Sequence, residues 1–152
     1  MFMSMNNTGL EFPDIQVCAC ANLRRATRMV TQAYDAVLRP VGLRATQFTM
    51  LSVLAKGGRI RQSKLAETLG MDGTTLTRNL QPLLKNEWIE IGRDDDQRVR
   101  LISITDQGRR VLDQAIPLWR QAQSKFVNGL GKDDLSTMLG ALARTVDIAQ
   151  GG

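Results

Sequence analysis

The feature that most restricts this chain is a change of hydrophobic period at Asn86. Before that residue apolar side chains recur at helical spacing; after it Ile89 and Ile91 alternate with polar residues and Val99 to Ile104 is again β-branched and apolar, and after Thr105 the helical spacing returns. A period near 3.6 buries one stripe of a helix and a period of two buries one face of a strand, so neither an all-helical nor an all-strand fold satisfies both. Helices on either side of one small hairpin are required. Apolar residues make up 43% of the 152, enough for a real core in a chain whose length fits one domain of roughly 100–200 residues.

The helical stretches can be delimited. Ile15 to Leu38 contains neither Gly nor Pro, and Ala19, Leu23, Ala26, Val30, Ala33 and Val37 recur at alternating steps of four and three, which predicts a long amphipathic helix over 15–38. Pro40 and Gly42 close it. Thr46 offers an N-cap to a short second helix that turns Phe48, Leu51 and Leu54 inward and ends at Gly57-Gly58. A third, Gln62 to Leu69, stops at Gly70, and Asp72 caps a fourth, Gly73 to Asn86, with Leu76, Leu80, Leu83 and Leu84 on its inner face. Asp94-Asp95-Asp96-Gln97 turns the hairpin. Thr105-Asp106 opens a long helix over 106–127 in which Pro117 predicts a kink, and Asp133 and Asp134 favour the start of a last one over 133–149.

Composition removes several function classes. The chain has no His, so the commonest general base and the commonest metal ligand are both missing, and no Ser or Cys has a recognisable base beside it. An enzyme is not expected, and neither is a cofactor. Cys18 and Cys20 stand alone, too few for a disulfide framework or a four-ligand zinc site, which points to reducing surroundings. Met1 to Asn7 has no basic stretch and no long apolar run, so it reads as a frayed terminus rather than a leader, and no apolar run approaches the ~20 residues that span a bilayer. A soluble cytoplasmic protein is expected. The charge of +5 tilts it toward polyanions, and aromatics at 5% argue against a stacking groove for single strands.

Helix, helix, Gly turn, helix and hairpin over 46–105 is the order of a winged helix-turn-helix, with 62–69 as the supporting helix and 73–86 as the recognition helix. The fold class is therefore mainly α with a small β-hairpin wing. Away from its leucines the fourth helix carries Thr74, Thr75, Arg78, Gln81 and Lys85, of which Thr74, Arg78, Gln81 and Lys85 form one stripe. An isolated stripe of this kind is ordinarily a solvated face. Between a helix-turn-helix turn and a wing it is a surface for base edges and phosphates, with Arg78 to guanine the strongest pairing. Lys56, Arg59, Arg61 and Lys64 add an acid-free basic patch suited to phosphates. Asp94 to Asp96 repel DNA, but Gln97-Arg98 follow where a calcium loop would need more carboxylates, so a metal is not expected. One of the acids pairs instead with an arginine at the wing tip.

Leu65-Ala66-Glu67-Thr68-Leu69-Gly70-Met71-Asp72 with Thr75, Thr77 and Arg78, followed by Arg93-Asp94-Asp95-Asp96-Gln97-Arg98 and then Ser103-Ile104-Thr105-Asp106-Gln107-Gly108, resembles the MarR family of bacterial transcriptional regulators. The resemblance spans nearly the whole chain as one domain, with 15–38 and 106–150 standing where that family has its dimerisation helices. It implies a homodimer on a pseudo-palindromic double-stranded operator, most often a repressor released by a small molecule or an oxidant. It also implies that Thr75, Thr77 and Arg78 face DNA and that Asp96 orients Arg98 by a salt bridge for entry into the minor groove. Three positions depart from the pattern. Gly73 lacks a polar side chain, Pro82 removes the amide that would bond the carbonyl of Arg78 and predicts a bend, and Arg61 replaces the usual Ser or Thr cap of the supporting helix.

Tyr34, Phe48, Trp88 and Trp119 form a candidate effector pocket, although such residues are more commonly plain core. Cys18 and Cys20 are candidate redox sensors at the start of the first helix, where two residues apart they would point roughly 200° from each other, so a disulfide between them needs local unwinding. The competing reading, from another class, is a winged-helix protein-interaction adaptor that no longer binds DNA, favoured by the acidic wing and Gly73.

Overall fold

The computed structural model describes residues 14–151; Met1 to Asn7, read above as a frayed terminus, lie outside the described residues. Among these residues six α-helices and three short strands run in the order α1 (Ala19–Leu38), α2 (Ala45–Gly57), β1 (Ile60–Arg61), α3 (Gln62–Leu69), α4 (Gly73–Lys85), β2 (Ile89–Arg93), β3 (Arg100–Ile104), α5 (Asp106–Leu130) and α6 (Lys132–Ala149). The sheet is antiparallel in the order β1-β3-β2, with Ile91 opposite Ile102 and Ile60 opposite Ile102 on its other side. The core lies where the helix-turn-helix meets this sheet and the first half of α5. Leu38, Met50, Leu51, Leu54, Leu65, Leu76, Leu83 and Ile102 are wholly inaccessible there.

Several expectations need correction. The stretch 15–38 is not one helix, because Ile15–Val17 forms a 3₁₀ turn capped by Asp14 and Cys18 is extended before α1 begins. Thr46 does not cap α2. The N-cap is Arg44, two residues earlier, since the carboxylate of Asp35 in α1 accepts the Ala45 N–H at 2.7 Å and the Gln47 side chain accepts the Arg44 N–H at 2.9 Å. The hairpin has a third strand, β1, which reading by alternation missed because two residues are too short to alternate. Helical structure continues through both prolines, to Lys85 beyond Pro82 and to Leu130 beyond Pro117.

Two helix ends use the same device with different residues. After α3, Met71 N–H bonds the carbonyl of Ala66 and Gly70 N–H that of Glu67, while after α4 Trp88 N–H bonds Leu83 and Glu87 N–H bonds Leu84. Both need a left-handed residue. Gly70 (φ 63°) supplies it without strain, but Glu87 (φ 58°) does so at a cost of about 1 kcal/mol or more. The Glu87 carbonyl is held by the Thr105 hydroxyl, which donates to it at 2.6 Å.

Candidate nucleic-acid interface

The recognition surface begins with the cap of α4. Asp72 Oδ1 accepts the Thr75 N–H at 2.7 Å and Oδ2 accepts the Thr75 hydroxyl at 2.9 Å. Those bonds, the backbone one foremost, hold the Asp72 carboxyl below its ordinary pKa. Thr75 is thereby occupied in the cap and half-buried. Thr77 is exposed, but its hydroxyl donates to the Gly73 carbonyl at 2.8 Å and accepts from Gln62 Nε2 at 3.4 Å. Both threonines thus serve the helix frame, and Asp72 three residues before Thr75 was the sequence signal for the first of these bonds. Thr74, Arg78, Gln81 and Lys85 are all exposed and remain one stripe.

The wing is organised by its arginines. Arg98 donates its backbone N–H at 3.1 Å and its Nε at 3.2 Å to Asp96 Oδ1, and these bonds, again the backbone one first, lower the Asp96 pKa. Asp94 N–H bonds the Val99 carbonyl, Val99 N–H bonds that of Asp96, and Arg93 Nη1 bonds the Gln97 carbonyl. Arg61 Nη2 lies 3.6 Å from Asp94 Oδ2, a pairing that sequence alone does not reveal because it joins the start of α3 to the hairpin. Lys64 is not in an acid-free setting, as Glu67 pairs with it at 3.1 Å one turn on. Beside the wing, Arg61, Gln62, Gly73, Arg98 and Arg100 line a groove of about 420 Å³, and a β-carbon at Gly73 would touch nothing.

The four aromatics do not share one pocket. Phe48 stacks on Trp119 at 5.8 Å within the core, Trp88 packs against that core, and Tyr34 stacks on Phe126 at 5.6 Å. Tyr34 donates to Gln123 at 2.6 Å, and burial raises its pKa. It lines an apolar groove of about 670 Å³ between α1, α5 and α6, to which none of the other three contributes. Cys18 and Cys20 are both exposed, the first just outside α1 and the second in its first turn, so the 200° separation expected for two helical positions does not apply.

Comparison with known proteins agrees with this geometry. Residues 43–99 match the MarR family model. The multiple antibiotic resistance protein MarR of Salmonella typhimurium is 34% identical over 97 residues, covering 60% of this chain and 67% of that protein. Among solved structures, the M. tuberculosis transcriptional regulator MosR in complex with DNA superposes with a TM-score of 0.78 at 35% identity over 87% of this chain and 98% of that one. The transcriptional repressor CouR bound to a 23-mer DNA duplex gives 0.79 at 25% identity over 91% and 99%. A relative more than 30% identical that is covered almost end to end favours the DNA-binding reading over the adaptor, and the chain belongs to the MarR family of DNA-binding transcriptional regulators.

Proposed function

We propose that the protein acts as a homodimeric repressor that occupies a pseudo-palindromic operator, with Arg78 reading a base in the major groove and Arg98 reaching the minor groove. The observation that carries this reading is the exposed stripe Thr74, Arg78, Gln81 and Lys85 on a helix flanked by a wing whose Arg98 is already oriented by Asp96. Lys64, with Lys56 and Arg59 of the patch 56–64, supplies phosphate contacts. Recognition helices one DNA turn apart and wings in the flanking minor grooves give both affinity and register. The test is a gel shift on the region upstream of its own coding sequence. Arg78→Ala is expected to cost ~1–3 kcal/mol and relax preference at one base pair per half-site, while Arg98→Ala loses the preference for narrow A·T-rich flanks. Asp96→Ala should partly copy Arg98→Ala, and tighter binding instead would make the carboxylate merely repulsive.

Release by an oxidant is supported by the exposure of Cys18 and Cys20 at the first turn of α1. Peroxide would oxidise one thiolate to a sulfenic acid, and the second thiol would displace water to close a disulfide, with unwinding confined to that turn. Mild peroxide should abolish operator binding reversibly, and Cys18→Ser or Cys20→Ser should resist it. Unchanged affinity after both thiols have reacted, as shown by mass spectrometry, leaves a small-molecule effector as the releasing signal; bound beside Tyr34, it would disturb how a second copy packs on the groove between α1, α5 and α6.

A further inference from the structure

We infer that Arg61 is a positioning residue for the wing, and that its ion pair with Asp94 fixes the hairpin turn against the start of α3 so that Arg98 is presented to DNA from a set place. This rests on the DNA-binding reading of the wing given above. Beyond the last ladder pair, Arg93 with Arg100, the turn residues 94–99 leave the sheet. Their hydrogen bonds run among themselves or to Arg93. Among the described residues, Arg61–Asp94 is the one ion pair or hydrogen bond that joins this turn to anything outside the hairpin.

Both partners are placed for that task. Arg61 ends β1, where it stands opposite Leu101, and it is the N-cap residue of α3 without a side-chain bond to that helix. The long side chain that fails as a cap spans to the wing instead. Asp94 is half-buried, with one carboxylate oxygen accepting the Asp95 N–H at 2.8 Å and the other facing Arg61. The acid therefore has a fixed orientation before any partner arrives. Arg61 also helps, after the two bonds from Arg98, to hold Asp96 ionised. Arg61 and Arg98 line the same open groove, where a β-carbon at Gly73 of α4 would meet nothing. A pair at 3.6 Å lies well inside the screening length of about 8 Å at physiological salt. Such an exposed pair adds little to folding. Its effect falls on how narrowly Arg98 is aimed at a minor groove only about 6 Å wide.

The opposite arrangement is that Arg61 touches a phosphate itself and Asp94 merely competes. A double-mutant cycle of Arg61→Gln and Asp94→Asn separates the two, read by fluorescence anisotropy on a duplex selected in vitro with the wild-type chain. Positioning predicts that each change weakens binding by about three- to tenfold and that the double variant is no worse than either single one. The salt dependence should be unchanged, and Arg98→Ala should lose most of its effect in either background. If Asp94→Asn tightens binding while Arg61→Gln weakens it and lowers the salt slope by about one, or if neither change alters affinity, the inference is overturned. Loss of affinity on Arg78→Ala in the otherwise wild-type chain tests the DNA-binding reading separately, so failure of the one is distinguishable from failure of the other.

Discussion

Gly108 illustrates what a single position contributes. The Thr105 hydroxyl accepts the Gly108 N–H at 3.0 Å while donating to the Glu87 carbonyl, and Thr105 N–H donates to the Trp88 carbonyl at 3.0 Å. The start of α5 is thus pinned against the chain entering β2, so closely that a β-carbon at Gly108 would run into the Trp88 carbonyl oxygen and lie 2.8 Å from Ile104. A backbone carbonyl cannot move aside as a flexible side chain can. Gly108→Ala should therefore destabilise the fold by about 1–3 kcal/mol, read as a lower midpoint in thermal or urea unfolding; an unchanged midpoint would show that the segment shifts freely. The sequence marks Thr105 and Gly108 as a motif but hides the reason, because the group that excludes a side chain comes from Trp88, 20 residues away in the chain. Arg78 and Lys85 were legible for the opposite reason, since exposure on a helix follows from spacing alone.

Among the elements, helices with local signals were readable and those started by distant groups were not. Asp72 before α4 and Thr105 before α5 both cap as their residue types predict, whereas α2 begins where Asp35 of another helix reaches Ala45. The left-handed Glu87 was equally hidden, as nothing in a Glu announces positive φ. The Asp72 cap also has a pH signature. Its pKa is lowered in the folded chain, first by the Thr75 N–H and then by the Thr75 hydroxyl, so the unfolded chain binds the proton more readily. The stability this supplies is present above the ordinary carboxylate pKa of about 4 and is lost as the pH falls through the lower folded value. Asp72→Asn keeps an oxygen to accept the Thr75 N–H, turns its amide toward the Thr75 hydroxyl as a donor, and does not titrate. Its unfolding free energy should fall less steeply than that of the wild type below about pH 4, and parallel curves would place the acid sensitivity elsewhere, with Asp96 the next group to replace.

At the scale of the whole molecule, the period change at Asn86 and the long flanking helices made the architecture legible, but how α1, α5 and α6 bury their apolar faces was not. Within one chain α1 buries Leu38 and α5 buries Leu112, Ala115 and Ala122, but much of their remaining apolar surface stays open. No residue of α6 is buried, and Leu139, Val146 and Ile148 are 54%, 53% and 77% exposed, beside Met29 and Val30 of α1. Apolar residues of α1, α5 and α6 line one continuous groove that includes Leu23, Phe126, Leu135, Leu139 and Leu142. A surface of this kind is unfavourable in water and fits a second copy of the same face. The chain is therefore expected to sediment as a dimer at micromolar concentration. Leu139→Lys places a charge in the groove without touching the core around α2–α4, so it should give a folded monomer with an unchanged helical content. Binding to a two-half-site duplex should then weaken by about a hundredfold or more, because the second recognition helix no longer arrives at the effective concentration that covalent or dimeric linkage provides. Affinity for an isolated half-site should hardly change. A variant that remains dimeric would place the second copy on another face, and a wild type that sediments only as a monomer would overturn the dimer and leave this apolar face to another partner.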